Sequence, residues 1–163
     1  FQFLWRDGSL CIYCNNQDIT EEIRSDEISN GASIVSSLEP VRNALFKLQK
    51  KLGEQSGTVM DGRDIGTVII PDAEIKVYID ADIRIRAERR LEQYLQKGKD
   101  CTFEEVLNDI QSRDERDKNR KNSPLIQAKD AVIVRTDKLK NISGMINKMS
   151  EEVENRIKKK YGS

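Results

Sequence analysis

Apolar residues recur along this chain in two rhythms, one strand-like and one helical, and the rhythm changes several times across its 163 residues. FQFLWR at the start and SLCIYC after it are β-like segments. The Asp7-Gly8 step between them predicts a two-residue hairpin turn, because both central positions of such a turn need positive φ. Polar residues 15–18 then turn the chain into a helical region with a start at Thr20. Ile28, Ala32 and Val35 fall there at helical spacing. Pro40 belongs in a first helical turn, after which Val41, Ala44, Leu45, Leu48 and Leu52 mark one helical face. Gly53 and Gly57 flank the loop that ends this helix. A short buried-type strand, TVM at 58–60, leads into DGRD at 61–64.

The alternation continues beyond Pro71. IKVYID at 75–80 is a strand closing on Asp80. A helix from about 83 to 97 places Ile83, Ala87, Leu91, Tyr94 and Leu95 on one side, and Gly98 stops it. Thr102 is a helix N-cap, with Phe103, Val106, Leu107 and Ile110 facing inward. That apolar face ends where SRDERDKNRK begins at residue 112. AVIVR at 131–135 is a further strand. Ile142, Ile146, Met149, Val153 and Ile157 give a last helix its face, and the Lys-rich end from 158 is expected to fray. Strands alternating with helices predict an α/β fold with a parallel sheet flanked by helices. The opening hairpin breaks that pattern and reads as an antiparallel insert.

Composition then narrows the function. Lys+Arg and Asp+Glu are equal at 28 each. The chain therefore lacks the basic surplus of a non-specific nucleic-acid binder, and function must come from local charge placement. Histidine is absent, which removes the commonest general base and metal ligand. Cys11 and Cys14 lie in a strand-like run, where residues i and i+3 face opposite sides, so they do not form a zinc knuckle. Three cysteines taken as free thiols suggest a reducing, cytoplasmic setting. No apolar run approaches the roughly 20 residues of a membrane span.

Two charged constellations remain. If 113–120 is helical, Arg113, Arg116, Asp117 and Arg120 share an arc of roughly 100° while Lys118 and Lys121 point elsewhere. A solvated, salt-bridged helix would look similar. The choice of arginine for this face nevertheless suits bidentate phosphate contacts, because the planar guanidinium fork matches two oxygens. The second constellation is DGRD, at what should be the carboxyl edge of a strand, where ligands collect in open α/β sheets. The glycines at 57 and 62 have the spacing of a P-loop. In a P-loop, however, the first Gly follows its strand and a Lys opens a helix, whereas Gly57 precedes the strand and Arg63 and Asp64 occupy the Lys and Ser/Thr positions.

Taken together, DGRDIGTVIIPDA from residue 61, IKVYIDA from 75 and RDERDKNR at 113–120 resemble bacterial cytidylate kinase, the (d)CMP kinase of the nucleoside monophosphate kinase group. ITEEIRSDEISNGAS from residue 19 is similar to that family's substrate-side insert, and Pro40-Val41-Arg42 follows at the expected separation. The resemblance implies ATP-dependent phosphoryl transfer to CMP or dCMP with Mg²⁺, by a cytoplasmic and monomeric enzyme with no nucleic-acid or membrane partner. It implies Ser33, Arg42 and Asp64 as readers of the cytosine edge, and Arg113 and Asp117 at the acceptor's sugar. Arg63 and Arg120 would lie near the transferring phosphoryl, Arg116 would be a lid contact to phosphate, and Asp61 would hold Mg²⁺ through water. The domains expected are an acceptor-binding insert at 1–36, a core at 37–110, an arginine-rich lid at 111–123, and a core strand with the last helix at 124–163. The family opens with a strand, a P-loop and a helix, and no G-x-x-x-x-G-K-[ST] occurs here. The resemblance thus implies an N-terminally incomplete chain, lacking its first strand and P-loop and inactive alone. A non-catalytic nucleotide- or phosphate-binding module is the alternative, and a plain helix-and-sheet protein with solvated charges is a third reading.

Overall fold

A computed structural model describes residues 1–55, 57–139 and 141–162. The chain is α/β and divides into two compact units, residues 1–44 and 45–163.

The first unit opens with the expected hairpin. Strands β1 (Gln2–Arg6) and β2 (Ser9–Cys14) pair antiparallel, Gln2 opposite Tyr13 and Arg6 opposite Ser9. Asp7 and Gly8 have φ of 49° and 75°, as a turn whose two central residues are both left-handed requires. A two-residue strand that the pattern did not signal, β3 (Gln17–Asp18), adds to β2. The helical start expected at Thr20 yields only a single 3-10 turn, Glu22–Arg24. The Thr20 hydroxyl instead accepts from Ile12 N at 2.8 Å and donates to Asp18 Oδ1 at 2.6 Å, which locks the turn onto the sheet. Helix α1 (Asp26–Val35) starts one turn later, where the Ser25 side chain accepts from Ile28 N as an N-cap. Its expected apolar face is not covered: Ile28, Ala32 and Val35 are exposed.

Helix α2 (Glu39–Gly53) forms where Pro40 and the Val41–Leu52 periodicity place it. Leu45, Leu48 and Leu52, on the face that this periodicity marks, are also exposed. The strand expected at 58–60 is absent. Thr58 N donates to Gln55 O and its hydroxyl to Leu52 O, so this stretch folds back on the end of α2, and Val59 is 97% exposed. Three residues make a strand only when a neighbour completes their ladder, and among the described residues none does.

The second unit is built on strands β4 (Val77–Asp80) and β5 (Val132–Arg135), paired parallel with Val77 opposite Val132 and Asp80 opposite Arg135. Between them run α3 (Ile83–Gln96) and α4 (Phe103–Asn119), which pack on each other. Gly98, at φ 72°, ends α3, and a complete Thr102–Glu105 capping box starts α4. Helix α5 (Ile142–Tyr161) packs against β5. The Lys-rich end expected to fray is helical as far as Tyr161. The Tyr161 hydroxyl donates to Glu74, and Lys160 lies 3.8 Å from the same carboxylate. These contacts hold a turn that the sequence alone left loose. The small core includes Ile69, Ala87, Val106 and Val134.

Candidate functional site

Helix α4 determines the site. Its inward stripe runs Val106, Ile110, Arg113, Asp117, Arg120, alternating steps of four and three residues that keep to one side of a helix. The first two are apolar and the last three are charged, so the stripe does not turn away from the protein when its chemistry changes. Asp117 is 2% exposed and Arg120 9%. A solvated helix would carry these groups outward, and the burial removes that reading.

Burying charges is costly unless they are paired, and the loop before the helices supplies partners. Asp117 Oδ2 lies 3.1 Å from Arg63 Nε, and Arg120 Nη2 lies 3.5 Å from Asp64 Oδ1. The DGRD loop is fixed by a π-type turn over Ile65–Ile69, an element that the hydrophobic pattern did not signal. In it the Asp64 carbonyl accepts from Thr67 N, Val68 N and Ile69 N. Such turns recur at functional sites because they re-aim the residues beside them. Here the turn leaves Asp64 8% exposed, directed at Arg120. Gly62 makes the tight approach possible, since a Cβ there would meet Ile65 Cγ1 at 2.8 Å.

The end of α4 closes on itself. Leu125 N donates to Asp117 O at 2.8 Å, satisfying a helix-end carbonyl. Arg120 Nε donates to Ser123 O at 2.5 Å, from a turn in which Ser123 takes a φ of 51°. Arg113 and Arg116 are half-buried. Arg113 Nε and Arg116 Nη1 are buried with no hydrogen-bond partner among the described residues. Buried donors left unmatched are costly, and two guanidinium nitrogens on one helix are suited to an anion.

Arg63, Asp64, Asp117 and Arg120 thus converge, with Arg113 and Arg116 on the same helix. Asp61 lies on the same loop but is exposed. No group of three acidic or sulfur ligands occurs among the described residues. A single solvated carboxylate is compatible with Mg²⁺, which keeps several waters and takes few protein ligands. Ser33 and Arg42 belong to the first unit. Ser33 is buried in α1, and Arg42 Nη1 donates to Ser36 O at 3.2 Å while the Ser36 hydroxyl donates to Ser33 O at 3.1 Å, so one serine links the two.

Several charged residues around the carboxyl edge of the sheet escaped the sequence reading. Arg86 Nη2 donates to Asp114 at 2.6 Å, and Arg89 donates to the Thr136 and Leu139 carbonyls. Arg135 bonds both Asp80 and Asp137, and Asp137 also accepts from Asp82 N at 2.6 Å. Hydrogen bonding to Arg135, then to the Asp82 amide, holds the Asp137 carboxyl down at about 2. The same Asp137 contact raises the Arg135 guanidinium. Arginine is frequent in α3, at 84, 86, 89 and 90, and the spacing did not say which of the four turn inward.

A parallel α/β domain in which guanidiniums and carboxylates converge on the inward side of one helix presents donors whose geometry suits anionic groups. The cytidylate kinase family model matches residues 3–155. The chain is 42% identical over 147 residues to the cytidylate kinase of Klebsiella pneumoniae (strain 342), covering 90% of this chain and 64% of that one. It is 43% identical over 151 residues to that of Bacillus subtilis (strain 168), covering 93% and 66%, and 40% identical over 149 residues to that of Streptococcus pyogenes serotype M4 (strain MGAS10750), covering 91% and 66%. The chain belongs to the cytidylate kinase family, and it spans a little under two thirds of the length of these curated relatives.

Proposed function

We propose that the protein carrying this chain transfers the γ-phosphoryl of ATP to CMP or dCMP, giving CDP or dCDP. The observation that carries this, beside family membership, is the inward-turned arginine stripe of α4 with unmatched donors on Arg113 and Arg116. Phosphoryl transfer asks for positioning and charge neutralisation rather than a covalent intermediate, which suits a site without histidine. Arg113 and Asp117 take the acceptor's sugar, and Arg116 contacts phosphate. Arg63 and Arg120 neutralise the transferring group. Both are held beside carboxylates, which places their guanidiniums in the site before an anion arrives. Ser33, Arg42 and Asp64 read the cytosine edge, a hydroxyl, a guanidinium and a carboxylate matching its carbonyl, ring nitrogen and amino group. Asp61 holds Mg²⁺ through water, and the ion supplies charge neutralisation at the phosphates.

The enzyme is proposed to act as a cytoplasmic monomer. No helix among the described residues is long and apolar enough to cross a membrane. The 163 residues contain no G-x-x-x-x-G-K-[ST], so a polypeptide of these residues alone is expected not to make CDP at a useful rate.

The test is a coupled assay of the full-length protein with ATP, Mg²⁺ and CMP, dCMP, UMP or AMP. CMP and dCMP should be the preferred acceptors, and Arg63→Ala should lower kcat about 10²-fold. Turnover of AMP as fast as CMP would overturn the substrate assignment. CMP binding without turnover by the full-length protein would leave only a nucleotide-binding module.

A further inference from the structure

We propose that Arg86 and Asp114 are positioning residues that hold the arginine face of α4 against the carboxyl edge of the sheet. The inference rests on the phosphoryl-transfer reading above and deepens it. Asp114 stands in sequence between Arg113 and Arg116, yet it is directed at α3 rather than into the Arg63–Asp117 cluster. There it accepts from Arg86 Nη2 at 2.6 Å, while Arg86 Nε donates to Ala81 O at 3.2 Å. Ala81 is buried and follows directly on β4, which ends at Asp80. One guanidinium therefore spans from the sheet edge to the helix that carries the site. Lysine could not make both contacts in this geometry, because they use two nitrogens fixed in one planar fork.

The location explains why a tether is needed. Past Ile110 the inward stripe of α4 is charged, so apolar packing no longer fixes the helix there. Arg63–Asp117 and Arg120–Asp64 are ionic ties that also act on this stretch. All four of those residues are assigned to ligand, so their mutual contacts loosen when ligand arrives. Arg86–Asp114 lies outside that set and persists through binding. It keeps α4 in register while its neighbours exchange partners.

The experiment compares Asp114→Asn, Asp114→Glu and Arg86→Lys in the full-length protein, reading kcat, the KM for CMP, the melting temperature and amide hydrogen exchange across 113–119. Asp114→Asn should lower kcat about tenfold, since small misplacements at a reacting centre are amplified in rate. The KM for CMP should change less than kcat. Exchange across 113–119 should rise, and the fall in kcat should exceed what any fall in melting temperature accounts for, the Asp114 side chain being 15% exposed. Asp114→Glu should recover most of the rate. Arg86→Lys should resemble Asp114→Asn, because it keeps the charge but loses the tie to Ala81. Unchanged kcat and exchange in Asp114→Asn would overturn the inference. So would Asp114→Glu being as impaired as Asp114→Asn, or a fall in rate that only tracks a fall in melting temperature. If the wild-type protein does not phosphorylate CMP, the proposed function fails by itself, and the exchange measurement still decides whether the tether exists.

Discussion

Replacing Arg120 by methionine in a cycle with Asp64→Asn isolates the coupling of the buried pair, because the bond from Arg120 Nε to Ser123 O is lost whether or not Asp64 is present. The side chain of Arg120 is 4% exposed and that of Asp64 11%. Methionine keeps most of the apolar stem and removes the charge, leaving the Asp64 carboxylate buried without its neighbouring guanidinium. Losing one partner of a buried pair costs about 3–5 kcal/mol. The 3.5 Å separation is long for a charge-assisted hydrogen bond, so the low end applies, about 3 kcal/mol. For a chain of this size that lowers the melting temperature by about 6–12 °C. Adding Asp64→Asn removes the stranded charge and should recover about 2 kcal/mol of the loss. Thermal melts of the four proteins in this double-mutant cycle provide the measurement. A control sits on the surface: Lys148 pairs with Glu151 and Glu152, and Lys148→Met should cost no more than about 1 kcal/mol, about 2–4 °C in melting temperature. An Arg120→Met protein that melts within about 2 °C of wild type, or a cycle with no coupling, would refute the claim that the pair is buried and interacting.

Further outcomes follow from other contacts. Asp137 is ordinarily a carboxyl of 3.8 and is held at about 2 in the fold. Its contribution to stability is complete above about pH 4 and is lost as pH falls through about 2. Asp137→Asn should accordingly flatten the acid-side decline in melting temperature, and a carboxyl NMR titration of Asp137 near 3.8 would contradict this. Thr102→Ala removes the N-cap of α4 and should cost about 1 kcal/mol, with Thr102→Ser close to neutral in the same melts. Gly62→Ala places a Cβ 2.8 Å from Ile65 Cγ1, and should destabilise by about 1–3 kcal/mol and disturb the amide NMR signals of 64–69. Unchanged signals would mean the loop is looser than described.

Local chemistry made much of the fold legible. Asp7-Gly8 fixed the hairpin because few dipeptides accept positive φ at both positions. Gly98 and Thr102 marked the end of α3 and the start of α4 because their capping is a one-turn affair. Failures came where an element depends on a distant partner. TVM at 58–60 has strand composition, but a strand exists only through its neighbour's hydrogen bonds. The faces of α1 and α2 have helical periodicity, yet periodicity states which residues could be buried together and not what covers them. The turn at 158–161 needed Glu74, more than eighty residues away, to hold it.

The candidate site divides in the same way. Sequence alone determined that Arg113, Arg116, Asp117 and Arg120 share a side of a helix, since 3.6 residues per turn dictates it. It determined too that the motifs together resemble one family, but it placed DGRD at the end of a strand that does not form. Only the tertiary structure decided that the arginine face turns inward, that Asp117 meets Arg63 and Asp64 meets Arg120, and that Arg86 rather than Arg84 or Arg90 reaches Asp114. Those outcomes depend on how α4 lies against α3 and the π-type turn at 65–69. Helical spacing fixes the angle between side chains about one axis, but the orientation of that axis is set by the packing of other elements against it.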